Sequence, residues 1–247
     1  MSNKKPIRNY LAYRMRMHGK LTLQVLLLIL GAGIVVSLAG FIPQAQGLVS
    51  TVVSDIPVKL IFFAAPAVLI FKSKTYSQWH EYAPKLPMKK KDFINATYLE
   101  IFLSSLYGIP VLAIIWLVAS LVHPGIVDFN EGLAVAGGSF GIVLIMTGLV
   151  YSLQFTKLGK SEELLLSIGF FGSFGFVFLL QVSLFRLKEM LLTVDFFSSL
   201  GFTFEFSQLL IEIDSIHTIS ALAPVIIGLI VFLICLVVSI KLQEKVD

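Results

Sequence analysis

Four stretches of this chain, 21–42, 132–155, 164–185 and 219–240, contain no charged side chain at all. Each is long enough for a helix to cross the roughly 30 Å hydrocarbon core of a bilayer, which takes about 20 residues. Two further apolar stretches carry charges only at Asp55 and Lys59 (53–71) and at Glu100 (96–122). No water-soluble fold can hide so many uniformly apolar segments, because they have no polar face to turn outward. Apolar residues are 57% of the chain and charged residues 14%, against about a quarter charged in a soluble domain. The sequence therefore predicts an all-α membrane protein of six spans in one domain. Its 247 residues leave no room for twelve. Pro66, Pro110 and Pro224 fall inside spans, where neighbouring helices can satisfy the backbone groups they free.

The distribution of basic residues sets the expected orientation. With the amino terminus in the cytoplasm, sixteen of the nineteen Lys and Arg residues lie inside, and only Lys59, Arg186 and Lys188 lie outside. The opposite orientation reverses that count, against the positive-inside rule. Both termini are then cytoplasmic. The external connections differ in character: 43–52 is uncharged, and 123–131 carries only the acids Asp128 and Glu131. The longest, 186–218, mixes five acids with many Phe and Leu residues. It is expected to form one or two short amphipathic helices at the outer face, broken near Gly201. The single Cys235 lies inside an apolar stretch, so no disulfide framework and no cysteine metal site is expected.

Two cytoplasmic stretches ask for more than a topology signal. Residues 1–20 place Tyr10, Arg14 and Arg16 on a short amphipathic helix suited to an anionic inner membrane surface, ahead of the domain at 21–247. The connection 72–95 contains Glu81, Tyr82, Pro84, Lys85, Leu86, Pro87 and Met88, followed by Lys89, Lys90, Lys91 and Asp92. Two prolines three apart interrupt any regular helix and mark a turn, and Asp92 suits the start of the next helix. A plain positively charged anchor is one reading of this connection. A docking element for a cytoplasmic partner is the other.

Leu86-Pro87, the lysines behind it, Asp92, and the apolar stretch that contains Tyr98 resemble the permease subunits of type-two ATP-binding-cassette exporters. The likeness is greatest to small bacterial permeases that export amphipathic peptides or confer immunity to them. The local motif covers about 82–98, while six spans, cytoplasmic ends and a longer last external connection extend the likeness to the whole chain. Relatives often carry a basic residue two or three places before the tyrosine, where this chain has Asn95 and Ala96. The resemblance implies a bacterial plasma-membrane location and a separate ATP-binding subunit in two copies. It also implies a second permease, identical or related. The coupling role falls on Glu81, Tyr82, Pro84, Lys85, Leu86, Pro87 and Met88, with the helix of Tyr10, Arg14 and Arg16 bracing the same joint.

No G-x-x-x-x-G-K-[ST] loop occurs, so ATP is expected on the partner and no cofactor on this chain. Glu162-Glu163 invites comparison with membrane proteases, but no Arg follows closely. The four histidines (His18, His80, His123, His217) lie outside the spans. An acidic start to the fifth helix accounts for the pair. Buried midplane carboxylates, expected of an ion-coupled carrier, are lacking. Asp55 and Lys59 are spaced to pair along one helix, and Gln154 and Gln181 to bond across helices. The glycines of 137–141 and 169–175 suit close packing between spans. The expectation is an export permease for amphipathic or hydrophobic cargo, peptides among the candidates, with no catalytic or metal site and no nucleic-acid partner. The alternative is a membrane-embedded peptide-sensing or immunity protein without ATP-driven transport.

Overall fold

The computed structural model describes residues 4–72, 89–125, 128–154, 164, 167–173, 175–176, 179 and 215–244. Among these, all regular structure is helical: α1 (Lys4–Ala39), a 3₁₀ turn (Pro43–Ala45), α2 (Gln46–Ser54), α3 (Ile56–Lys72), α4 (Lys90–Leu106), α5 (Gly108–Val122), α6 (Phe129–Leu153) and α7 (Ser215–Glu244). Four helical units, one of them α4 and α5 together, are long and apolar enough to cross a membrane. A fifth is formed if α2 and α3, bent by 50° at their junction, count as one. The chain is a multi-pass membrane protein.

Prolines and glycines set the helix boundaries. Pro57 lacks an N–H, which leaves the Val53 carbonyl without its helical donor. That oxygen instead accepts the Trp116 indole N–H at 3.3 Å, which ties the α2–α3 break to α5. Pro66 frees the Phe62 carbonyl in the same way, and Gly108 lies against it. A methyl at Gly108 would sit 2.7 Å from that oxygen. After α5, His123 turns extended and Gly125 adopts φ +94°, a conformation that suits glycine. Six serine and threonine hydroxyls inside the bundle bond within their own helices. Ser37, Thr97, Ser104, Ser105, Thr147 and Ser239 each donate to the carbonyl one turn back, at 2.7–3.1 Å.

Contacts fix the helix directions. Tyr10 meets Phe93, Gly33 meets Ile115 and Gly40 meets Val122, so α1 runs parallel to α4 and α5 and in step with them. Trp116 meets Val53 while Gly108 meets Phe62, so α3 runs the other way. Lys59 meets Gly132 and Phe63 meets Phe140, which makes α6 parallel to α3. Gly141 meets Pro224 and Gly148 meets Phe232, which makes α7 parallel to α6. At the centre is α6, with every residue over 138–148 buried. The outer helices turn Leu28, Val35, Leu121 and Ile234 outward, as lipid-facing helices do.

Three sequence expectations change in detail. The expected surface helix over residues 1–20 and the span after it form one continuous helix of 36 residues, since nothing from Arg8 to Ala39 breaks it. The second apolar unit begins within the expected outer connection, at Gln46, because 46–54 carries no charge and is helical. The third begins at Lys90 instead of 96, and is jointed at Tyr107. The expected fifth span, 164–185, is described only in part, chiefly at 167–173. The outer segment 186–218 lies outside the described residues except for its last four, which open α7.

The α6–α7 seam gives a direct test. A side chain at Gly141 would meet the Pro224 carbonyl, with its carbon 2.7 Å away, whereas Gly31 faces open space. Gly141→Val is expected to destabilise the bundle by about 1–3 kcal/mol, the usual cost of forcing extra bulk into a packed site. Gly31→Val should leave it nearly unchanged. Thermal unfolding of the detergent-purified variants measures both.

Candidate functional site: the basic end of the bundle

The sequence points to the end of the bundle where α1 begins and α4 emerges. Lys89 is extended (φ −66°, ψ 141°) and hands the chain to α4, accepting from the Asp92 and Phe93 amides at 2.9 and 3.1 Å. Asp92 lies in the first turn, where a carboxylate complements the helix dipole. Lys89, Lys90 and Lys91 are exposed, as are Arg16 and Lys20 on α1 and Lys241 on α7. One end of the bundle thus carries the positive charge. The expected coupling residues Glu81, Tyr82, Pro84, Lys85, Leu86, Pro87 and Met88 lie outside the described residues.

Tyr10 and Arg16 are placed differently from each other. Tyr10 is buried and packs edge-on against Phe93, ring centroids 5.6 Å apart, so it clamps α1 to the first turn of α4. Arg16 is exposed, and Arg14 is carried on the same helix. The register of α1 against α4 carries its first four turns alongside α4. At about 1.5 Å per residue, α4 and α5 together measure about 50 Å, well over the hydrocarbon thickness. Both helices therefore extend past the core at their basic ends.

Just above this end lies a cluster that no sequence pattern assembles. Tyr98 of α4 is 2% exposed. Its hydroxyl lies 2.9 Å from the Ser239 hydroxyl of α7 and donates toward the Gly148 carbonyl of α6 at 3.4 Å. Its ring packs edge-on against Tyr151 at 5.0 Å and Phe232 at 4.9 Å. In the sequence Tyr98 is visible only as part of a motif, and Ser239 looks like any serine in a span. Their contact joins positions 141 residues apart, and no local pattern announces it. Glu100, 2% exposed, lies further along α4 beside Ser104 and Ser105.

The remaining polar and small residues of the spans are placed as follows. Lys59, fully buried, donates to the Gly132 carbonyl at 3.3 Å and sits 5.1 Å over the Trp116 ring, so its ammonium ties α3 to α6 and α5 at the far end. Gln154 has an amide oxygen with no partner among the described residues, and Gln181 lies outside them. Of the small-residue stretches, Gly141 packs against α7 and Gly169 against Val150, while Gly172 and Gly175 face open space. Among the described residues no group of His, Cys, Asp and Glu is placed to hold a metal.

A jointed bundle of apolar helices with one basic end defines a polytopic membrane protein. A family model described as "ABC-2 family transporter protein" matches residues 20–246. The chain belongs to the ABC-2 transporter family, whose members are transport permeases and work with an ABC ATPase. No curated protein and no solved structure matches the chain.

The Tyr10 clamp makes a measurable claim. Tyr10→Ala should free the basic end of α1 from α4, raising the rate of tryptic cleavage at Arg14, Arg16 and Lys20 roughly tenfold, the equivalent of about 1.4 kcal/mol of lost local packing. Tyr13→Ala, at an exposed neighbour, should leave the rate unchanged.

Proposed function

We propose that this chain is the permease subunit of an exporter driven by a separate ATP-binding subunit, which seats on the segment from Glu81 to Met88. The family match over 20–246 carries the reading. The geometry at the basic end supports it. That segment leads directly into α4, and α4 is clamped to α1 by Tyr10 and Phe93. A push on the segment therefore acts on a braced pair of helices and not on a loose loop. The basic end faces the cytoplasm under the positive-inside rule.

The chain crosses the membrane six times. The shared direction of α6 and α7 supports that count, with the apolar stretch 164–185 as the crossing between them. The outer segment 186–218 then lies outside. Two permeases, identical or related, and two ATPase subunits make the working assembly. The cargo is amphipathic or hydrophobic, peptides included. The phenylalanine-rich, acidic outer segment and the scarcity of charge inside the spans favour such cargo over an ion.

Association, export and topology each provide a test. Co-expression with an ABC ATPase should yield a detergent-stable complex. Changing Tyr82, Leu86 and Pro87 to Ser should cut cargo export at least tenfold while membrane insertion stays intact. Wild-type export from the triple variant removes the docking role, and failure of any ATPase to associate favours a peptide-sensing or immunity protein. Single cysteines at Lys90 and Glu205, in a Cys235→Ala background, should react with impermeant maleimide from opposite faces of sealed vesicles. Labelling from one face overturns the topology.

A further inference from the structure

We propose that Tyr98 is the positioning residue that passes movement of α4 to the α6–α7 pair, with the Ser239 hydroxyl and the Gly148 carbonyl as its two points of grip. The inference rests on the proposed function, in which force enters at the segment before α4.

The helix α4 has the parts of a lever. From Lys90 to Leu106 it is unbroken. Beyond it Tyr107 makes a joint: Pro110 has no N–H for the Leu106 carbonyl, and Gly108 rests on the Phe62 backbone of α3. The joint is therefore held in place while its helical hydrogen bonding is weakened, which suits a fulcrum. Tyr98 lies nine residues, about 14 Å, on the basic side of that joint. There the helix grips both α6 and α7 through one side chain. Those two helices cannot slide freely past one another, because Gly141 and Gly228 bring their backbones into contact. Whatever displaces Tyr98 therefore displaces the pair together.

The hydroxyl grip has two complete arrangements. In one, Ser239 donates to the Cys235 carbonyl (2.8 Å) and Tyr98 donates to Ser239. In the other, Ser239 donates to Tyr98 and Tyr98 donates to the Gly148 carbonyl. Rotation of two hydroxyls exchanges them and leaves both hydroxyls bonded. The edge-on rings of Tyr151 and Phe232 hold the Tyr98 ring in place through either. The contact therefore keeps its hydrogen bonds in either proton arrangement without opening to lipid. A purely apolar contact at the same place would give packing but not this choice.

The test uses the whole chain in lipid nanodiscs, without ATPase, in a Cys235→Ala background. Spin labels at Lys90 and Lys241, both exposed, report the distance between the base of α4 and α7. A second pair, at Leu133 and Leu222, reports the opposite end of the α6–α7 pair. Tyr98→Phe, which keeps the ring, and Ser239→Ala should each broaden the first distance distribution at least twofold and leave the second unchanged. The double variant should be no broader than either single one, since both remove the same grip. Distributions as narrow as the parent's in both variants overturn the inference. Equal broadening at both ends also overturns it, because that indicates general loosening. With an associated ATPase, adding ATP should shift the Lys90–Lys241 distance at least twice as far in Tyr98→Phe as in the parent, because α4 then moves without carrying α7, and should leave the Leu133–Leu222 distance unchanged in both; equal shifts in parent and variant, including none, overturn the inference. A parent that binds no ATPase contradicts the proposed function, while the nanodisc measurement still decides the role of Tyr98.

Discussion

Where α6 crosses α7, a methyl group placed on Gly141 would lie 2.7 Å from the Pro224 carbonyl carbon, and one on Gly228 would lie 2.9 Å from the Gly141 oxygen. Inside a bilayer there is no hydrophobic gain from bringing two apolar helices together, since lipid tails are as apolar as leucine. Association must come from close packing and polar contacts. Absent side chains at the crossing let two backbones meet and enlarge that packing. The rest of the bundle is arranged around the result. With α7 pressed to one side, α3 and α4 close the others, and α6 is buried over 138–148 without a single exposed residue.

Backbone groups freed by proline become joints between helices instead of defects. Val53 and Phe62 each lose a helical donor, to Pro57 and Pro66. The Val53 carbonyl accepts from the Trp116 indole of α5, and the backbone of Gly108 packs closely against the Phe62 carbonyl. In hydrocarbon an unmet carbonyl costs several kcal/mol, so these contacts fix where α3 and α5 can sit. Lys59 obeys the same constraint. A fully buried ammonium is tolerated there because a carbonyl and an indole face surround it. These contacts tie α3 to α5 and α6.

Charge and hydropathy make the class of fold legible from the amino acids alone. Three of the four uncharged stretches mark spans among the described residues, and the glycines of 137–141 mark a packing surface that proves to be Gly141 on α7. What local pattern does not give is register. Charge ends between residues 20 and 21, yet a helix continues through a charge boundary as readily as through any other. The uncharged 46–54 reads as an outer connection because Pro43 before it and Asp55 after it look like limits, but its own residues are free to be helical. The proposed docking segment is legible only as chemistry at 81–88. The cluster above it depends on Tyr98, Gly148 and Ser239, whose proximity follows from the helix directions and from no spacing in the sequence.

The same helix directions explain how one chain can be both firm and movable. The α6–α7 contact is made by backbone and has one geometry, so it is a rigid element. The α4 contact is made by a ring and a hydroxyl on a helix jointed at Tyr107, so it is held by rotatable groups instead of backbone. Packed interiors respond to force by switching between discrete arrangements, not by bending continuously. A bundle glued everywhere by glycine would transmit nothing, and one held everywhere by rotatable hydroxyls would have no fixed part to push against. In this chain the rigid seam lies between the two helices that run together, and the adjustable one on the helix that leaves toward the basic end. Movement can then enter from outside the membrane without the bundle coming apart.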